Sequence, residues 1–197
     1  EMLGCELFLK LENQQYTGSF KDRGSLVKLK SLTPEQAKYG VIAMSAGNHA
    51  QGVAHHAKRL GIPATIVMPE FAPFTKVERT KALGARVVLT GDTLDASAVA
   101  AREIAAKENL TFVHPYDDPL IVAGQGTIGF EMLADEPGLE TIVVPIGGGG
   151  IISGIATAAT SVKPDLRMIG VEAELFPSMY QAIHGLLHRS IWGLPAG

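Results

Sequence analysis

The pattern that most constrains this chain is an alternation of short apolar runs, rich in Val and Ile, with longer helical stretches. The runs are "ELFLKL" (6–11), "GVIAM" (40–44), "ATIVMP" (64–69), "ARVVLT" (85–90), "LTFVH" (110–114), "TIVVPI" (141–146) and "RMIGVEA" (167–173). Several are apolar almost throughout, as strands are when both faces of a parallel sheet are covered. Helical patterns fill the gaps at 21–32, 48–60, 74–83, 93–108, 118–135 and 151–161. Thr33-Pro34-Glu35-Gln36 and Asp118-Pro119 supply cap-then-proline helix starts, and Gly61 and Gly84 follow helical stretches as stop signals. Strand and helix in alternation with short links predict a parallel α/β fold.

Bulk properties narrow the function. With 197 residues and a formal net charge of −3, nothing electrostatic points to nucleic acid or to an anionic membrane. No apolar run is long enough to span a bilayer, and no basic segment leads into an apolar one at the start. Cys5 is the only cysteine, so no intrachain disulfide can form and a reducing, cytoplasmic compartment is expected. Cys5 itself reads as a small buried hydrophobe. The chain starts at Glu1 and enters an apolar stretch almost at once, so residues upstream are expected to be missing.

In parallel α/β sheets ligands bind at the turns beyond the carboxyl ends of strands, and two such turns carry unusual residues. In "PIGGGGIISG" (145–154), Gly147, Gly148, Gly149 and Gly150 separate a strand from a helix. Without Cβ atoms the backbone can come close to a ligand, and the helix N-terminus adds partial positive charge, so the turn suits a phosphate. It has neither the lysine of an ATP-binding P-loop nor the Rossmann spacing with a ribose-binding acid. In "SAGNHAQG" (45–52), Ser45, Asn48 and Gln51 stand at a strand mouth. Asn48 can bind a ligand or, with Ser45, cap the following helix, and this stretch alone leaves both readings even.

"TGSFKDRG" (17–24) holds Lys21 in a polar, glycine-bounded stretch. A lone lysine is normally a solvated charge; beside a phosphate cup it becomes a candidate Schiff-base amine for pyridoxal phosphate. "KLENQQYTGSFKDRG", "SAGNHAQG", "KALGARVVLTGD" and "GGGGIISG" occur here in the order and contexts of the fold-type II pyridoxal phosphate enzymes. Over about residues 4–184 the chain most resembles the threonine dehydratase (threonine ammonia-lyase) family. That resemblance implies a tryptophan synthase β-like fold of two parallel-sheet domains. The larger would be built from 1–36 and 121–197 and incomplete, and the smaller, 37–120, inserted between them. The larger domain, short of strands, would leave apolar sheet edges uncovered, favouring poor solubility or dependence on a partner.

By the same resemblance Lys21 holds pyridoxal 5'-phosphate as a Schiff base and later acts as general base. Phe20 packs on the cofactor, Asn48 bonds the ring hydroxyl, and Gly147, Gly148, Gly149 and Gly150 hold the phosphate. Ser45, Ala46, Gly47, Asn48 and His49 receive the substrate carboxylate. The implied reaction is β-elimination from L-threonine to 2-oxobutanoate and ammonia, and from L-serine to pyruvate. Full-length relatives would be homo-oligomers in amino-acid metabolism, with isoleucine biosynthesis and threonine catabolism both open. Related serine racemases carry a serine at the position of Ala46, which ranks racemisation second; cysteine synthase relatives fit His49 poorly. An inactive truncated remnant is the alternative of a different class, and a nucleotide-binding Rossmann protein a distant third.

The remaining features read as structural. His55 and His56, beside Lys58 and Arg59, read as a solvated helix face. Glu131 and Asp135 read as ordinary surface acids one helical turn apart. Gln125 in "AGQGTIGFE" matches a stretch of the family it resembles, and that resemblance implies a structural role near the interdomain cleft. His49, His114, His184 and His188 lack zinc-site spacing, so no protein-bound metal is expected. "LLHRSIWGLPAG" (186–197), with Trp192, does not resemble the family's next segment, and the chain reads as a fragment.

Overall fold

The computed structural model describes residues 4–186, so most of the 186–197 tail, including Trp192 and His188, lies outside the described residues. The helices are α1 (Lys21–Lys30), α2 (Pro34–Tyr39), α3 (Asn48–Leu60), α4 (Phe74–Ala82), α5 (Leu94–Glu108), α6 (Pro119–Asp135), α7 (Gly150–Val162) and α8 (Ser178–Ile183). The strands are β1 (Val41–Met44), β2 (Ala64–Met68), β3 (Arg86–Leu89), β4 (Thr111–Phe112), β5 (Thr141–Pro145) and β6 (Arg167–Val171). Six of the seven expected strands form, all in parallel pairs. A four-stranded sheet runs β3-β2-β1-β4, and β5 pairs with β6 in a second sheet.

The apolar runs explain the layers. Every residue of β1 is buried, because α3 and α5 cover the two faces of its sheet. One core joins Val41, Ala43, Ile66 and Met68 to Val53, Ala54 and Ala57 of α3. The opposite face packs Ile42, Met44 and Val67 against Ala101 of α5. A separate core unites Ile142 and Val144 of β5 with Ile128 and Leu133 of α6 and Ile155 and Ala159 of α7.

Local signals set the boundaries. The Thr33 hydroxyl accepts from Gln36 N at 3.2 Å while the Gln36 side chain accepts from Thr33 N at 2.9 Å, a complete capping box that starts α2. Asp118 caps α6 by accepting from Leu120 N at 2.8 Å. Gly61 ends α3 in the left-handed conformation, φ 69°.

Three expectations are corrected. Residues 6–11 form no strand, and Leu7, Phe8, Leu9 and Leu11 are exposed. The run is apolar, but among the described residues no strand lies beside it to take its backbone hydrogen bonds, and a strand exists only as part of a ladder. Cys5 is exposed, not buried, because it lies in the same exposed segment outside any helix or strand. His55 and His56 are buried at 7% and 4% exposure, because α1 lies over the face of α3 opposite the sheet.

Glu131 is also more than a surface acid. Arg23 of α1 donates to both of its oxygens at 2.6 Å, donates to Glu12 at 2.8 Å and reaches Thr127 at 2.9 Å. Lys10 adds contacts to Glu131 at 3.0 Å and Asp135 at 3.1 Å. This cluster ties α1 to α6 with paired, planar contacts. Arg23, with burial opposing and Lys10 assisting, holds the Glu131 carboxyl down to about 2 from an ordinary 4.5. A depressed carboxylate stabilises the fold above its unfolded pKa and loses that contribution as pH falls through the folded one. Chemical denaturation at stepped pH is therefore expected to show stability falling between about 4.5 and about 2. Glu131→Gln should flatten that part of the profile.

Candidate active site

The strand order β3-β2-β1-β4 reverses its winding between β1 and β4, and the mouth of an α/β sheet opens at such a reversal. The turn after β1 (residues 45–47) and the turn after β4 (residues 113–118) meet there. Lys21, the first residue of α1, reaches the same place. Together Lys21, Met44, Ser45, Ala46, Asn48 and His49, with residues of α5 and of the turn after β4, line a cavity of about 430 Å³. A second cavity of about 300 Å³ adjoins it, lined by Phe20, Lys21, Gln125 and the loop Gly147–Gly150. Lys21, Pro115, Tyr116 and Gly148 border both.

The turn that presents Lys21 is fastened from below. Asp22 accepts from Thr17 N at 2.8 Å and from the Thr17 hydroxyl at 2.7 Å, closing the 17–22 loop. The Lys21 Nζ donates to the Pro115 carbonyl oxygen at 2.5 Å and lies 5.2 Å from the centre of the Phe20 ring. Among the described residues no carboxylate pairs with it. Burial therefore pushes the amine down from 10.5 to about 8, since desolvation disfavours the charged form. Such an amine is partly neutral near physiological pH, as a nucleophile or general base requires. Competitive acylation followed by mass spectrometry should give Lys21 a titration midpoint near 8, with exposed lysines near ~10.4. A midpoint among the exposed lysines would contradict the burial.

Besides α1, which starts at Lys21, two helix N-termini frame the cavities. Helices α2, α5 and α6 have side-chain caps from Thr33, Thr93 and Asp118. Helices α3 and α7 begin on glycines, Gly47 and Gly149, with no side-chain cap. Their first N–H groups and the positive end of the helix dipole are left for an anion. The capping alternative for Ser45 and Asn48 thus falls away: Ser45 Oγ instead accepts from Gly47 N at 3.1 Å, within the turn.

In the glycine loop each position has its own demand. Gly149 sits at φ 84°, a conformation that glycine adopts readily. A Cβ on Gly148 would lie 2.4 Å from the Tyr116 ring. At Gly147 nothing lies within 4 Å of the Cβ position, so that face of the loop is open. A cradle of this kind, with a desolvated lysine at its rim, fits a phosphate-bearing aldehyde.

The structure thus brings together Phe20, Lys21 and Gly147–Gly150 in one cavity, and Lys21, Ser45, Ala46, Asn48 and His49 in the other. Gly47 lines neither and serves as the N-cap of α3. Gln125 is 1% exposed, accepts from Gly24 N at 3.3 Å and borders the glycine-loop cavity. Sequence reasoning missed the turn after β4, where His114 Nδ1 accepts from Asp117 N at 2.7 Å and shapes Pro115 and Tyr116 around Lys21. The signal was available: "HPYDDP" is a third polar turn at a strand's carboxyl end. Among the described residues no group of three or more His, Cys, Asp or Glu could hold a metal ion.

A fold of parallel sheets with a desolvated lysine beside an open glycine loop fits a class of cofactor enzyme. The family model for pyridoxal-phosphate dependent enzymes matches residues 1–190, and the chain belongs to that family. It is 51% identical over 195 residues to the L-threonine ammonia-lyase of Thermotoga maritima, covering 99% of this chain and 49% of that protein. Among solved structures, the processed form of threonine deaminase isoform 2 from Solanum lycopersicum superposes with a TM-score of 0.91 at 41% identity, covering 93% of this chain and 51% of that one. Maize serine racemase gives 0.91 at 35% identity, covering 99% and 58%. The chain spans about half the length of the curated relatives it matches.

Proposed function

We propose that this chain carries the cofactor- and substrate-binding part of a pyridoxal-phosphate dependent ammonia-lyase that converts L-threonine to 2-oxobutanoate and ammonia, and L-serine to pyruvate and ammonia. One observation carries the reading: the desolvated Lys21 amine borders two adjoining cavities, each ending on an uncapped helix N-terminus. One N-terminus suits the cofactor phosphate and the other an amino-acid carboxylate. The likeness to an L-threonine ammonia-lyase and a threonine deaminase supports the substrate.

Pyridoxal phosphate, when bound, supplies an aldehyde for amine capture and a ring that takes up the electron pair released at the substrate α-carbon. Lys21 would hold the cofactor aldehyde through its Nζ, and that amine, when free, would take the substrate α-proton. Gly147, Gly148, Gly149 and Gly150 bind the phosphate with the N–H groups of α7. Phe20 packs on the ring and Asn48 bonds the ring hydroxyl. Ser45, Ala46, Gly47, Asn48 and His49 orient the substrate carboxylate at the N-terminus of α3. The Ala46 methyl has no proton to transfer, which favours elimination over racemisation. The same reading assigns 37–120 to a smaller domain around the four-stranded sheet and 1–36 with 121–197 to a larger one. It places the protein in the cytoplasm as a homo-oligomer.

The test loads the chain with pyridoxal phosphate and supplies L-threonine and L-serine. Release of 2-oxobutanoate and pyruvate with equimolar ammonia is expected. D-serine as the main product would favour the racemase, the reading that the likeness to maize serine racemase supports. Cofactor binding with no turnover would point to an inactive remnant.

A further inference from the structure

Helix α3 also forms the seat of the turn that carries Lys21. A Cβ on Gly52 would stand 3.2 Å from the Lys21 carbonyl carbon and oxygen, so the helix lies directly against that backbone. One turn further along α3, His55 stacks on Tyr16 with ring centres 4.0 Å apart. His56 faces the other end of the turn, its Nε2 3.6 Å from Asp22 Oδ1, and both of these side chains are buried, at 6% and 5% exposure. Neither nitrogen of His56 has a hydrogen-bond partner among the described residues. Asp22 accepts from Thr17 N and from the Thr17 hydroxyl.

A buried N–H without an acceptor is unfavourable, and a buried carboxylate gains from every donor it meets. A carboxylate oxygen has room for more than one donor, so Oδ1 can serve Thr17 and His56 together. The other charged groups beside His56 leave Asp22 as its acceptor. Arg23 and Arg59, which border the same outer groove, only donate. Glu131 borders it too, and both of its oxygens are taken by Arg23. From 3.6 Å, a closure of about half an ångström makes the His56–Asp22 contact a hydrogen bond.

We propose that His56 is a positioning residue for Lys21: its Nε2–H binds the Asp22 carboxylate, which in turn holds Thr17 and closes the loop that aims the Lys21 amine into the two cavities. This rests on the reading of Lys21 as the amine that holds the cofactor, and not on which amino acid is the substrate. His56 borders neither cavity and acts through Asp22. Its effect is therefore read at Lys21, where a displacement of about 1 Å is enough to slow a reaction ~100-fold.

The test compares His56→Phe, which keeps a planar ring and loses the N–H, with His56→Gln, whose amide nitrogen can stand in for Nε2. Without cofactor, competitive acylation gives the Lys21 titration midpoint, and hydrogen exchange gives the protection of the Thr17 amide. With pyridoxal phosphate, borohydride trapping gives the rate of capture at Lys21. In His56→Phe the midpoint should rise from about 8 towards that of exposed lysines, and Thr17 exchange should quicken. Capture should slow by about tenfold, the size of a hydrogen bond to a charged group. His56→Gln should recover part of each. A folded His56→Phe that matches wild type, or a His56→Gln no better than His56→Phe, would overturn the assignment. If His56→Phe does not fold, the wild type decides. In the ¹⁵N-histidine-labelled chain, His56 Nε2 should carry a proton and its resonance should move in Asp22→Asn. An Nε2 without a proton, or a resonance unmoved in a folded Asp22→Asn, would also overturn the assignment. Failure of the wild type to capture the cofactor at all would remove the Lys21 reading, while the midpoint and the Thr17 exchange would still decide the His56 contact.

Discussion

Lys21→Ala should abolish 2-oxo acid formation from threonine and serine while leaving the fold intact. General-base catalysis alone contributes roughly 10²–10⁴-fold, and this substitution also removes the only amine bordering both cavities among the described residues. The fold should tolerate it, because the lost Nζ bonds the Pro115 carbonyl oxygen and the charge it removes is a desolvated one. The measurement is turnover beside a thermal melt. Loss of activity with an unchanged melting midpoint is expected. Retained activity at more than about a hundredth of wild type would show that another group serves as base.

Gly124→Ala should destabilise the fold although it lies outside the cavities. A Cβ at Gly124 would stand 2.5 Å from Gly24 Cα and 2.8 Å from Arg23 O, backbone atoms of α1 that cannot swing aside. Alanine in place of glycine within a helix normally gains up to about 1 kcal/mol. Here the wedge between α1 and α6 outweighs that gain, with an expected net loss of about 1–3 kcal/mol. Since α1 carries Lys21 as its first residue, the same wedge should lower cofactor capture. Urea titration and cofactor affinity measured together would show both effects. A variant as stable as wild type would mean that the helices separate without strain.

Much of the architecture was readable because buried parallel strands are apolar on both faces, so β1 and β2 stand out as runs, and because Thr33, Asp118 and Gly61 mark helix ends by local chemistry. Residues 6–11 misled for the same reason: apolar character marks burial or pairing only when a neighbour exists to provide it. His55 and His56 were misjudged from the adjacent Lys58 and Arg59, since only the tertiary docking of α1 covers that face. The Arg23–Glu131 contact joins positions 108 residues apart, and no local pattern announces it. In the candidate site, Lys21 and the glycine loop were legible through the resemblance of their motifs. The uncapped N-terminus of α3 and the turn around Pro115 and Tyr116 needed coordinates, because both depend on which loops meet at the reversal between β1 and β4.

The most direct test of the central claim is chemical. The chain is mixed with pyridoxal phosphate, reduced with borohydride, digested, and the labelled peptide identified, with Lys21→Ala as control. The account predicts a single stoichiometric label on Lys21, absent from the control. A label spread over exposed lysines, or unchanged in Lys21→Ala, would contradict it.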